Sequence, residues 1–140
     1  MANHIGFPSS PDLGKLVLRV AVGLILFLHG LGKIEQGMAD TVAQVESNGF
    51  PGWLAYGTYL GEFVAPLLLM AGFFTRPAGW LVALNMLMTI VVAHRDIAFL
   101  RNDFGGWMIE LNVLLLLGGV AAALLGAGKY SLSKGQGKWD

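Results

Sequence analysis

Cysteine is absent from the 140-residue chain, which excludes disulfides, thiolate metal sites, iron–sulfur clusters and a redox-active thiol pair. Charge is scarce. Only 13% of residues are Asp, Glu, Lys or Arg, against about 25% in soluble domains. The 9 basic and 9 acidic residues cancel, so no net field draws the chain to nucleic acid or to an acidic partner. A phosphate-cradling glycine loop and a nucleophile triad are both missing. What remains is apolar: 55% of residues are hydrophobic and the mean hydropathy is +0.63. Such a chain is at home in a bilayer, and its length holds one domain of four spans of about 20 residues each.

Spans are expected at about 13–31, 54–74, 77–94 and 107–127. The expected fold is all-α, a transmembrane four-helix bundle over residues 13–128 between an N-terminal tail, 1–12, and a loose, Gly/Ser-rich C-terminal tail, 129–140. Lys15 and Arg19 before the run Val20 to Leu28 have the look of a secretion signal. Leu28-His29-Gly30-Leu31-Gly32-Lys33 is a poor cleavage site, however, and further spans follow, so the segment reads as a retained first helix. In the long loop, Met38, Val42 and Val45 recur at helical spacing and predict a short interfacial helix. Only Thr75 and Arg76 separate the second and third spans, a connection tight enough to make them antiparallel neighbours. Gly118, Ala122 and Gly126 recur every four residues as a small-residue packing seam.

Lys and Arg in the loops set orientation. Lys15, Arg19, Arg76, Lys129, Lys134 and Lys138 lie on one side, and Lys33, Arg95 and Arg101 on the other. That bias places both termini in the cytoplasm. Trp53, Tyr56, Trp80 and Trp107 fit the aromatic belts at the two interfaces.

With this threading, His29, Glu62, His94 and Glu110 all fall in the outer half of the membrane. Ionisable groups in hydrocarbon are costly, rare and usually functional. Glu62 stands among Leu60, Gly61, Phe63 and Val64 and is expected to face the bundle, either as a reactive carboxylate or as one paired to His29 or Arg19. Pro66 lacks the N–H that would bond the Glu62 carbonyl, which predicts a kink there. Glu110, in the first turn of the last span, is either part of the same site or an acid favoured by the helix dipole. His29 has small neighbours that leave room for another group, and His94 stands at the water boundary. Arg19, at the opposite depth, either packs inward or snorkels to phosphate. Asn85 and Thr89 share a face of the third span, and at 100° per residue His94 falls opposite them, so Asn85 is taken as a packing contact. Neither a haem on His29 and His94 nor a divalent metal on the two His and two Glu has the tight ligand spacing such sites use, so no metal site is assigned.

In order and spacing, Leu18-Arg19 with His29-Gly30-Leu31-Gly32-Lys33, then Gly61-Glu62-Phe63 and Gly72-Phe73-Phe74-Thr75-Arg76-Pro77-Ala78, then Glu110-Leu111-Asn112 and Gly126-Ala127-Gly128-Lys129-Tyr130-Ser131 resemble the DoxX family of small four-span bacterial membrane proteins. The resemblance implies a multi-pass protein of the bacterial cytoplasmic membrane, linked to quinone chemistry or oxidative stress. It marks Arg19, His29, Glu62, Arg76 and Glu110 as positions of interest. No cofactor motif is visible in the chain itself. On that footing Glu62, His29 and Glu110 are the expected catalytic groups, and Tyr59, Phe63, Trp107 and Arg19 the expected lining of a quinone site. Two other roles stay open, an accessory subunit of a larger membrane complex and a proton-coupled carrier of a small molecule.

Overall fold

A computed structural model describes residues 10–140. Most of the expected N-terminal tail therefore lies outside the described residues. The architecture is all-helical: α1 (Pro11–Gln36), α2 (Ala39–Ser47), α3 (Ala65–Ala71), α4 (Thr75–Ala93) and α5 (Glu110–Leu125). Extended pairing among the described residues is limited to one antiparallel bridge between Arg101 and Trp107.

Among the described residues, three helical segments are long and apolar enough to cross a membrane: Pro11–Gln36, Gly52–Ala71 and Thr75–Ala93. α5 is apolar but has 16 residues, about 24 Å. Its expected start at Trp107 moves to Glu110 because Trp107 is held in the loop, paired with Arg101. The outward faces are apolar, with Leu24, Leu28, Leu84, Leu87, Leu114 and Leu117 all exposed. A helix that is apolar on every side is stable only where its surroundings are apolar too.

α1 runs past the expected stop at Leu31 and ends at Gly37, whose φ is +83°. Gly30 and Gly32 stay helical. At Gly30 the reason is contact: a Cβ there would collide with the carbonyl of Glu62. The second span is composite. A 3-10 stretch, Gly52–Gly57, leads to a π-helical turn, Leu60–Val64, and then to α3. Pro66 supplies the cause, since the missing N–H removes the bond to the Glu62 carbonyl. The chain widens so that the N–H of Ala65 donates to Leu60. The expected kink thus takes the form of a π turn. A left-handed Gly72 (φ +69°) and Phe74 (φ +49°) make the reversal into α4.

The core joins Val22 and Leu26 of α1, Ala65 and Leu69 of α3, Val82 and Met86 of α4, and Leu115 and Ala122 of α5. A second cluster, Met38, Val45, Ala55 and Val92, seats the short α2. The closest helix pair is α4 with α5. A Cβ on Gly79 would stand 2.6 Å from the Gly119 carbonyl oxygen, and one on Gly119 would stand 2.8 Å from that of Gly79. Gly118 meets Val22 of α1 instead, and Gly126 lies beyond the helix end. The seam toward α4 is therefore displaced by one residue from the expected Gly118–Ala122–Gly126 row.

Residues 129–140 are not loose. Leu132 N–H donates to Ala71, Ser133 Oγ to Gly72, and Arg76 N–H to Trp139. Turn-forming Ser and Gly let this segment fold back across the ends of α3 and α4. Replacing Gly79 with Leu should force α4 and α5 apart and lower stability by about 1–3 kcal/mol, the usual cost of overpacking. A thermal melt in detergent, set against the exposed control Leu87→Ala, measures this.

Candidate functional site

The π turn positions Glu62. In the wider turn its carboxylate points into the bundle and is buried, with a side chain 5% exposed against 26% for Lys33. Lys33 Nζ stands 2.8 Å from Oε1 and 2.7 Å from Oε2. Asn85 Nδ2 also donates to Oε1, at 3.3 Å. The approach of Asn85 depends on Gly61, where any Cβ would occupy the Asn85 side chain. Lys33 is one turn beyond His29 on α1, which is how the extended helix brings both to the same side.

This polar group forms one wall of a cavity of about 510 Å3 between α1, α2, the stretch Leu54–Glu62, α4 and α5. Thr41, Gln44, Thr58, Thr89, His94 and Asn112 are further polar residues around it, and the remainder is mainly Leu, Met, Val and Ala. Its rim includes Leu60, Leu84, Met88 and Leu111, which are exposed on the outer surface of the helices. The cavity therefore communicates with whatever surrounds the helices. His29 is exposed and also lines it. Its Nδ1 is 2.8 Å from the Ile25 carbonyl. Only a protonated nitrogen bonds a carbonyl, so in the neutral ring Nε2 is left as a base.

The other expected residues lie elsewhere. Glu110 is exposed on the first turn of α5, beside the loop of Asn102 and Gly106 and away from the cavity wall. Trp107 donates from Nε1 to the Ala98 carbonyl at 2.6 Å and braces the loop between α4 and α5. Phe63 stacks on Phe27 with ring centroids 5.2 Å apart. Tyr59 packs against the cluster under α2. Arg19 is fully buried and does not snorkel. Its guanidinium donates to the carbonyls of Leu69 at 2.7 Å, Met70 at 3.3 Å and Tyr130 at 2.7 Å. Arg76 does similar work, donating to Ala123 and Leu124 at the end of α5 and to Asp140. Both arginines close helix ends and are remote from the cavity.

Lys33 is the principal residue that sequence reasoning missed. Its signal was its i, i+4 spacing from His29, hidden by ending the helix at Leu31. Asn85 was set aside because a straight helix puts it opposite His94. The structure has both on one cavity because α4 ends at Ala93 and His94 has left the helical conformation, with φ −124°.

Removing one partner of a buried ion pair leaves the other uncompensated. Lys33 can swing outward, whereas Glu62 cannot. Lys33→Met should therefore destabilise more than Glu62→Gln, by about 3 kcal/mol against about 1 kcal/mol. The double variant should recover most of the loss of Lys33→Met. Denaturation of the three variants in the same detergent tests the order.

The family model DoxX matches residues 14–95. Among similar curated proteins, "Putative oxidoreductase CatD" of Bacillus subtilis is 35% identical over 116 residues, covering 83% of this chain and 81% of that protein. "Inner membrane protein YqjF" of Escherichia coli is 31% identical over 123 residues, covering 88% and 92%. "Inner membrane protein YphA" of Escherichia coli is 32% identical over 135 residues, covering 94% and 96%. No solved structure matches the chain. With the family model spanning more than half its length and relatives above 30% identity along most of it, the chain belongs to the DoxX family.

Proposed function

We propose that this protein binds the head group of a quinone or quinol inside a bacterial inner membrane and takes part in its redox cycle. The names of the Escherichia coli relatives support the location, and the name of the Bacillus subtilis relative supports the chemistry. In this reading α1, the segment Gly52–Ala71, α4 and α5 cross the bilayer as a four-helix bundle, both termini are cytoplasmic, and the cavity lies toward the periplasm.

One observation carries the reading: a largely apolar cavity bordered by outward-facing leucines has the buried Glu62 carboxylate, held by the half-buried Lys33 and Asn85, in its wall. A lipid-soluble ring with a polar oxygen matches both halves of that description. Lys33 would donate to a ring oxygen, and Glu62 would accept a hydroxyl proton and pass it toward His29 at the exposed rim. The electron acceptor is assigned to a partner protein.

A second reading, an accessory subunit, is favoured by the outer loop. Phe99 and Phe104 there are 94% and 98% exposed, which suits contact with another membrane subunit. A photo-crosslinking residue at position 104 should then capture one discrete partner in native membranes, and labelling of lipid alone counts against it.

For the principal reading, a decyl-substituted 1,4-benzenediol should quench the fluorescence of the purified protein and raise its Tm. Glu62→Gln should weaken binding about tenfold or more, as expected for losing a hydrogen bond to a charged group. Glu110→Gln should leave it unchanged. Absence of binding, or equal affinity for wild type and Glu62→Gln, overturns the assignment.

A further inference from the structure

Among the described residues, four buried side-chain polar atoms lack a hydrogen-bond partner: Arg19 Nε, Thr75 Oγ1, Glu62 Oε2 and His94 Nδ1. Buried polar atoms are ordinarily paired. Arg19 and Thr75 are on the face closed by residues 129–140. The other two belong to residues that line the same cavity. Glu62 Oε2 is ion-paired with the Lys33 ammonium at 2.7 Å, so of the two it is His94 Nδ1 that has no partner at all. His94 is at the far end of the wall formed by α4.

The change in His94 φ from the helical value to −124° rotates its Cβ by about 60° about the N–Cα bond. That rotation carries the side chain away from the face an ideal helix would give it. Its own N–H remains bonded to Ile90 at 3.2 Å, so the backbone there is fixed. Between Asn85, which touches Glu62, and His94 the helix rises about 13 Å. Two polar points about two and a half helical turns apart along one cavity suit a ligand that carries an oxygen at each end of a ring. A ligand with one polar end, such as a fatty acid or a long-chain alcohol, would meet either the Lys33–Glu62–Asn85 group or His94 Nδ1, but not both.

We propose that His94 is the second head-group contact: the ligand lies along α4 with one oxygen at Glu62 and the other at His94 Nδ1. The inference rests on the quinone reading and specifies its ligand class as a para-dioxygenated ring. It makes His94 a binding residue that the sequence had left at the water boundary.

The test compares two probes on the purified full chain, the decyl-substituted 1,4-benzenediol and the same ring with the hydroxyl far from the tail removed. Wild type should bind the diol about tenfold more tightly than the phenol, the effect of one hydrogen bond. His94→Leu should abolish that preference while binding the phenol as wild type does, and His94→Gln should restore part of it. A tenfold preference retained in His94→Leu, or an equal loss for both probes, overturns the proposal and leaves the Glu62 site standing. Failure of wild type to bind either probe overturns both. Should His94→Leu not survive purification, isotope-labelled His94 in wild type decides: its ring-nitrogen resonance should move with the diol and stay with the phenol, and identical responses to the two refute the contact.

Discussion

A carboxylate cannot be left alone among helices that are apolar on every face. In this protein the demand is met by Lys33, which reaches Glu62 across the gap between α1 and the π turn. Much of the neighbouring geometry follows from that contact. α1 has to remain helical through Gly30 and Gly32 for Lys33 to arrive. Gly30 has to be bare for the Glu62 backbone to approach, and Gly61 has to be bare for Asn85 to share the carboxylate. Pro66, by freeing the Glu62 carbonyl, widens the turn that carries it. Small residues and a helix irregularity thus serve one ion pair.

The opposite end of the molecule is organised by arginine acting on carbonyls. Helix C-termini leave carbonyl oxygens without intrahelical partners, and several donors can be supplied by one planar guanidinium. Arg19 gathers the end of α3 and Tyr130, and Arg76 gathers the end of α5 and Asp140. Each thereby ties segments distant in sequence. The two charged layers are chemically different. One is a carboxylate with mobile donors facing a cavity, and the other is a pair of guanidinium groups bonded to backbone carbonyls and remote from the cavity.

Much of the helical content, and Glu62 as an inward carboxylate, were legible in the residues. Long apolar runs and turn signals place α1, α4 and α5, and Pro66 announces the disturbance beside Glu62. Legibility failed where tertiary contact overrides local preference. Gly30 and Gly32 read as a helix end, yet close packing keeps them helical and carries Lys33 into the site. The 100° rule separated Asn85 from His94, yet it does not apply to a residue whose φ has departed from the helix. Trp107 and Glu110 look like site residues by depth, but depth says nothing about azimuth: Trp107 belongs to the loop between α4 and α5, and Glu110 stands exposed on the first turn of α5. The fold-back of residues 129–140 is carried by backbone hydrogen bonds that no composition announces.

The glycine contact between α4 and α5 has a mechanical corollary. Backbones that touch at Gly79 and Gly119 leave no side-chain cushion to slide on, so these two helices behave as a rigid plate. Breathing that admits a bulky guest then falls to the opposite wall, where α2 hangs between left-handed Gly37 and Gly49 and meets α4 through the small cluster at Val45 and Val92 and a long bond from Gln44 to Ala93.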